Sequence, residues 1–231
     1  MNGLLEMCSS VSKNKPKIAG RLNLLSFCPK QMSVVKEMKA ELRQLMKKVL
    51  DKISVEETKE QSEAVFRKII DSKWFQESKR LSVYVSTTGE IQTDLIIKKS
   101  LEMGKEVFIP QFTKGSVAME MVRLPDQKSF DDLPSTSWGI RQPDPKWKWE
   151  SYHMTGPLDL ILAPGVAFSP SCLRCGHGKG YYDRFFSTHH SRFPSDSPLK
   201  FLKLMFNWMM SFTKGILLYQ IKQDYDNEFE T

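Results

Sequence analysis

An α/β fold with a mostly parallel central sheet and helices on both faces is predicted by three observations. Residues 81–85 and 106–110 are short β-rich runs separated by the helical stretch 93–103, and this strand, helix, strand order implies parallel pairing through a right-handed crossover. A third apolar run, residues 158–163, leads through Pro164 and Gly165 to a glycine-rich loop and then a helix. Loops between the carboxyl end of a strand and a helix N-terminus are where open α/β sheets bind ligands.

The elements follow in order. Val35, Met38, Leu42, Leu45, Met46 and Val49 recur at three- and four-residue steps with Lys and Arg between them, which predicts a first helix from Val34. Ser54-Val55-Glu56-Glu57 reads as a capping box opening a second helix through about Ile70, on Val65, Phe66, Ile69 and Ile70. The strand at 81–85 ends in the polar turn 86–90. In the helix at 93–103, Leu95, Ile96 and Leu101 are expected inward, with Gly104 as the stop. Residues 119–124 read as a further strand and 131–149, rich in Pro and Trp, as a long ordered loop. A helix is expected over 181–189. Residues 201–210 and 216–219 are apolar and read either as a helix with a short strand or as poorly folded chain.

The chain has 231 residues, 40% of them hydrophobic, enough for one domain with a real core. Its 34 basic against 27 acidic residues fit an anionic ligand and equally fit a solvated basic surface. Four cysteines are too few and too uneven for a disulfide scaffold, which points to a reducing compartment. Cys172 and Cys175 form a CxxC with no second pair, and His189 and His190 are adjacent rather than at finger spacing, so the pair reads as incidental. No apolar run is long enough to span a bilayer. Residues 1–36 carry Glu6 as their one acid against Lys13, Lys15, Lys17, Arg21, Lys30 and Lys36, the composition of a transit peptide and equally of a disordered basic tail. The expected organisation is a basic tail over 1–33, the α/β domain over 34–197 and an atypical C-terminal segment over 198–231.

The chemistry concentrates in Arg174-Cys175-Gly176-His177-Gly178-Lys179-Gly180-Tyr181-Tyr182-Asp183. Three glycines on alternate positions disfavour helix and packed strand and leave a loop able to turn successive N–H groups toward one point. With Arg174, His177 and Lys179 interleaved, that point attracts phosphate, and the Asp183 carboxylate is placed to hold Mg²⁺ beside it. Taken alone, Lys39 and Arg43, four apart on the first helix, read as a solvated basic stripe, and Glu90 as a surface turn acid. Trp138 offers either a stacking surface for a flat heterocycle or a buried anchor.

Together these blocks resemble the 5-formyltetrahydrofolate cyclo-ligase family over about residues 36–190: Lys39-x-x-x-Arg43, the strand and turn from Val83 to Glu90 and Thr93, Thr136-Ser137-Trp138, and Asp159-Leu160-Ile161 leading to the loop that ends at Asp183. The resemblance implies a fold of the NagB/RpiA/CoA-transferase-like kind. It implies ATP- and Mg²⁺-dependent closure of 5-formyltetrahydrofolate to 5,10-methenyltetrahydrofolate with release of ADP and phosphate. It also implies site residues. Lys179 and Arg174 would be catalytic. ATP would be bound by Lys39, Ala40, Glu41, Leu42 and Arg43 and by Arg174, Cys175, Gly176, His177, Gly178, Lys179, Gly180, Tyr181 and Tyr182. Folate would be bound by Val85, Glu90, Trp138, His177, Gly178, Lys179, Gly180 and Tyr181, and the metal by Asp183. The expected partners are the folate substrate and ATP, with no membrane and no nucleic acid, for a monomer in the cytoplasm or, from its N-terminal composition, the mitochondrion.

Three departures from the family pattern stand out. Cys175 replaces a usual leucine, and His177 replaces a common arginine, which makes the charge there depend on pH. After about Arg192 the family's Ala-Leu-Ala-Phe strand and its closing segment, with an aspartate expected to help hold Mg²⁺, are absent. The altered end leaves two other readings: a catalytically impaired nucleotide- or folate-binding member, or a nucleic-acid-binding protein using the basic tail with Trp147 and Trp149.

Overall fold

The computed structural model describes residues 29–113, 115–136, 139–168, 174–194, 199–201 and 216–221. By its contacts the chain divides into residues 1–37 and 38–231. The described part of the first unit is the opening of helix α1 (Pro29–Leu50), where Ser33 Oγ donates to Glu37 at 2.9 Å. The helix begins at Pro29 rather than Val34, in keeping with the tolerance of proline in a first turn. Everything below belongs to the second unit.

Helix α2 (Val55–Asp71) starts at Ser54, whose Oγ accepts from the Glu57 backbone N–H at 3.0 Å. Only the serine half of the expected capping box forms, because the Glu57 carboxylate turns forward to accept from Gln61 Nε2. A five-residue helix α3 (Lys73–Glu77), not anticipated, buries Trp74 and Phe75. Strand β1 (Arg80–Val83), helix α4 (Asp94–Glu102) and strand β2 (Glu106–Phe112) form the expected βαβ unit, with β1 and β2 parallel in the register Leu81↔Val107. Helix α4 buries Ile96, Ile97 and Ser100; Leu95, expected inward, is 53% exposed, and Leu101 is only half-buried. The helix starts at Asp94, and at 100° per residue the inward face falls on Ile96, Ile97 and Ser100 rather than on Leu95.

Strand β3 (Met119–Arg123) pairs antiparallel with β2. The 131–149 stretch holds more structure than a loop. Helix α5 (Gln127–Asp131) precedes it, an isolated bridge joins Ser135 to Arg141, and a 3₁₀ turn at Pro145–Trp147 is capped by Asp144. Strand β4 (Leu160–Pro164) lies parallel to β1 on the side opposite β2, in the register Ser82↔Ile161. A small hairpin of β5 (Ala167–Phe168) and β6 (Arg174–Cys175) leads to helix α6 (Tyr181–Arg192). Strands β7 (Leu199–Phe201) and β8 (Ile216–Ile221) complete a sheet of order β3-β2-β1-β4-β8-β7, β8 antiparallel to β4 and β7 antiparallel to β8.

The sheet is mixed, with β1, β2, β4 and β7 running one way and β3 and β8 the other. Its centre is buried without alternation: Leu81, Ser82 and Val83 on β1, Val107, Phe108 and Ile109 on β2, and Leu160, Ile161 and Leu162 on β4 are all buried. Continuous burial means that both faces are covered, as parallel strands require. The amino ends are fixed by Asp159, whose Oδ2 accepts from the Lys79 and Arg80 N–H groups, both at 2.8 Å, while Arg80 pairs with Glu106 across the β1–β2 register.

Within the segment 198–231, read as atypical and as either a helix with a short strand or poorly folded chain, Ile216–Ile221 forms a strand that pairs along the full length of β4. Residues 202–215 and 222–231 lie outside the described residues, as does the N-terminal tail over 1–28. Among the described residues no helix is long and apolar enough to cross a membrane.

Candidate active site

The carboxyl ends of β1, β2 and β4 open into a cavity of about 830 Å³. It lies where the chain order reverses about β1, β2 having crossed to one side and β4 entering on the other. Tyr84 and Val85 follow β1, Pro110 and Phe112 belong to β2, and Pro164 ends β4. Glu90 comes from the turn after β1, and Ile140 from the loop closed by Thr136 N–H donating to the Ile140 carbonyl at 2.8 Å. The remaining walls are Lys39 and Arg43 of α1 and the whole segment from Arg174 to Asp183.

Lys39 and Arg43 face the loop together, one helical turn apart. Arg43 Nε donates to the Gly176 carbonyl at 2.8 Å, and its guanidinium lies about 3.5 Å from where a Cβ on Gly178 would stand. Ala40, Glu41 and Leu42 are exposed and do not line the cavity, because the helix turns these three away from the face shared by Lys39 and Arg43.

Gly178 has φ +100° and Gly180 φ +68°, conformations that side-chain-bearing residues avoid. Gly180 is the N-cap of α6, so the first N–H groups of a twelve-residue helix point toward the cavity mouth. His177 and Lys179 are exposed at that mouth, whereas Cys175 is buried as a free thiol.

Arg174 differs from the free cation expected. Its side chain is 7% exposed; Nη1 donates to the Pro164 carbonyl at 2.9 Å, Nη2 to Asp183 Oδ1 at 2.5 Å, and the guanidinium lies over the rings of Tyr182 and Phe186. Asp183, by contrast, is 71% exposed. Its hard carboxylate oxygens suit Mg²⁺, an ion usually held by one or two carboxylates together with substrate phosphates and water. Among the described residues no three His, Cys, Asp or Glu side chains converge as a metal cluster, so a metal here would share Asp183 with oxygens from its ligand.

The aromatic wall is ordered from outside in. Tyr181 meets Phe112 edge to face at 4.9 Å and carries Arg184 over its ring, while Arg184 ties Lys179 and Val117 carbonyls together. Behind it, Tyr182 is buried and its Oη has no hydrogen-bond partner among the described residues. Burial, reinforced by the negative charge of Glu90, pushes the Tyr182 phenol far above its ordinary value against the opposing pull of Arg174. Tyr84 is pushed up for the same reasons, burial first and Glu90 second, and donates to the Ile91 carbonyl at 2.9 Å. Glu90 is half-buried, its Oε2 accepting from both Thr87 N–H and Thr87 Oγ1 at 2.9 Å.

The cavity thus gathers Lys39, Arg43, Val85, Glu90 and the loop from Arg174 to Asp183. Trp138 lies outside the described residues. Tyr84, Thr87, Pro110, Phe112, Ile140 and Pro164 were not anticipated. Their signal was positional: most stand at or just past the carboxyl ends of the three parallel strands. The adjacent histidines also resolve in part. His189 is buried, its Nε2 accepts from the Leu158 N–H at 3.2 Å, and its ring stacks on Tyr152, which makes it a core residue rather than a zinc ligand. Cys172 lies outside the described residues.

Comparison with known proteins identifies the family. The chain matches the model of the 5-formyltetrahydrofolate cyclo-ligase family over residues 35–208. It is 79% identical over 169 residues to a probable 5-formyltetrahydrofolate cyclo-ligase of Caenorhabditis elegans, covering 73% of this chain and 82% of that one. It is 40% identical over 151 residues to the 5-formyltetrahydrofolate cyclo-ligase of Mus musculus, covering 65% and 74% respectively. Among solved structures, the 5,10-methenyltetrahydrofolate synthetase of Aquifex aeolicus superposes with a TM-score of 0.52 at 31% identity, over 65% of this chain and 72% of that one. With three-quarters of its length inside the family model and a close relative spanned over most of its own length, this chain belongs to the 5-formyltetrahydrofolate cyclo-ligase family.

Proposed function

We propose that this chain closes 5-formyltetrahydrofolate to 5,10-methenyltetrahydrofolate at the expense of ATP, with Mg²⁺, releasing ADP and phosphate. The observation that carries the reading is a single cavity walled on one side by cations and turned loop amides and on the other by aromatic and aliphatic groups, with an exposed carboxylate between them. One side suits a triphosphate and the other a flat pterin.

Lys39, Arg43, Lys179 and the N–H groups at the start of α6 hold the phosphates. Val85, Glu90 and the Phe112–Tyr181 wall hold the folate, and the unpartnered Tyr182 hydroxyl is a donor for a ligand oxygen. The N5-formyl oxygen attacks the γ-phosphorus, and the bond to the bridging oxygen breaks with that electron pair leaving on ADP. N10 then attacks the formyl carbon and loses its proton. The carbon–oxygen bond breaks as phosphate departs with the former formyl oxygen, leaving the N5–C–N10 amidinium. Asp183 holds Mg²⁺, which when bound shields the charge on the phosphate oxygens. Catalysis by these residues is positioning and charge stabilisation.

Arg174 enters this account as a positioning residue, since its guanidinium is committed to Pro164, Asp183 and the Tyr182 ring. The strand β8 beside β4 favours the catalytic reading over an impaired one, because it occupies the edge that the family's missing closing segment was expected to complete. The nucleic-acid reading keeps little aromatic support: Trp149 packs against the core, and Trp147, 41% exposed, is paired with it at 5.2 Å. The test is the ultraviolet absorbance of the methenyl product with purified chain, 5-formyltetrahydrofolate, ATP and Mg²⁺. Product formation that requires all three supports the reading, and its absence from a folded sample overturns it.

A further inference from the structure

Gln142 is buried, 8% exposed, and lines no part of the large cavity, yet its side chain is committed to one of that cavity's walls. Its Oε1 accepts from the Phe112 N–H at 3.1 Å, and its Nε2 donates to the Phe112 carbonyl at 2.9 Å. The two bonds admit one setting of the amide, because the oxygen must meet the donor and the nitrogen the acceptor. A single side chain thus supplies the pair of bonds that a residue in a sheet exchanges with a neighbouring strand. The need is local: β1 pairs with β2 only as far as Ser82↔Phe108, four residues short of Phe112.

Phe112 carries this grip to the cavity. Its ring meets Tyr181 edge to face at 4.9 Å, and Tyr181 Oη donates to the Ser116 carbonyl at 3.4 Å. The Gln142 backbone N–H donates to the Pro134 carbonyl at 3.2 Å, closing the loop that brings Ile140 into the same cavity, and Arg141 fastens that loop to Asp94 at the start of α4 at 2.6 Å. Gln142 therefore joins two walls, one through its side chain and one through its backbone. An apolar side chain of similar length fills the space but leaves the N–H and carbonyl of Phe112 without these partners.

We infer that Gln142 is a positioning residue for the folate pocket: its amide fixes the end of β2 so that the Phe112 ring stands against Tyr181 where a flat ligand ring packs. The inference rests on the proposed function, which gives that wall its folate.

The test is equilibrium binding of 5-formyltetrahydrofolate and, separately, of ATP with Mg²⁺ to the full chain and to Gln142→Leu, Gln142→Glu, Phe112→Leu and the double leucine variant, each checked for folding by thermal melt. Gln142→Leu weakens folate binding about tenfold, the upper size of one aromatic contact, and leaves ATP binding within about twofold. Gln142→Glu keeps an acceptor for the Phe112 N–H but sets a carboxylate oxygen against the Phe112 carbonyl; it weakens folate binding by about threefold or more and carries the comparison where the leucine variant does not fold. In the Phe112→Leu chain, Gln142→Leu weakens folate binding further by less than about twofold, because the ring it positions is gone. Unchanged folate binding in the folded Gln142 variants, equal losses for folate and ATP, or full additivity of the two leucine substitutions overturns the inference. An unaltered chain that binds no folate overturns the proposed function along with it. The expected pattern in a chain that makes no methenyl product supports the inference and overturns only the catalytic reading.

Discussion

Arg174 and Asp183 form an ion pair at 2.5 Å in which the cation is buried and the anion exposed, side-chain exposures of 7% and 71%. The asymmetry separates two roles within one contact. Arg174 is part of the fold, stacked on Tyr182 and Phe186 and bonded to the end of β4, and it aims a carboxylate whose other surroundings are solvent and cavity.

Substitutions at the two positions should therefore diverge. Arg174→Met leaves the Pro164 carbonyl without its donor and removes the packing over two rings, and is expected to cost about 1–3 kcal/mol in urea unfolding as well as turnover. Asp183→Asn keeps an oxygen that accepts from Arg174 but removes the counter-charge of a buried guanidinium, and is expected to cost less stability than Arg174→Met, about 1 kcal/mol or below, while abolishing product formation. Equal losses of stability in both variants would contradict the division of roles.

Lys179 is exposed at the cavity mouth and makes no contribution to the core. Lys179→Ala should lower kcat/KM by about 100- to 1,000-fold, the size of effect seen when one transition-state donor is removed, with the melting temperature unchanged. Initial rates at varied ATP, paired with a thermal melt, decide it.

Gly178 has φ +100°, with the Arg43 guanidinium about 3.5 Å from where a Cβ would stand. Gly178→Ala places a side chain in a left-handed conformation, at about 1–2 kcal/mol, and moves the loop away from Arg43. The expected outcome is a raised KM for ATP with a smaller change in KM for the folate, read from a two-substrate kinetic grid.

Stability should fall steeply in alkali. Burial pushes the Tyr152 phenol up to about 12, and Tyr84 and Tyr182 are raised as well. A folded-state value above the unfolded one means that the unfolded chain releases protons first, so stability is fully present below about pH 10 and is lost as pH rises through the folded values. Each such tyrosine contributes up to about 1.4 kcal/mol per pH unit in that window. The Tyr152 hydroxyl has no hydrogen-bond partner among the described residues, so Tyr152→Phe should be near neutral at pH 7 and flatten the decline between about pH 10 and 12. Urea titrations across that range check both expectations.

The βαβ core and the loop were legible because their signals are local: β-rich runs of the right length, a serine cap at Ser54, a glycine stop at Gly104 and alternate glycines at 176, 178 and 180. Helix α3 was not, since five residues hold too few turns for periodicity, and only burial of Trp74 and Phe75 gives it purpose. The antiparallel edges formed by β3 and β8 depend on partners distant in sequence, and Ile216–Ile221 carries no mark that it would lie against β4. In the site, residue types identified the cations, but burial decided their use. Nothing in the spacing of Arg174 distinguishes it from Lys179, yet one is enclosed by aromatic rings and the other stands in solvent.

The central claim is that this cavity brings a formyl oxygen to the terminal phosphorus of ATP. With 5-formyltetrahydrofolate carrying ¹⁸O in its formyl group, the account predicts that the label appears in the inorganic phosphate released with each methenyl product. Unlabelled phosphate, or ATP consumption without ring closure, would contradict it.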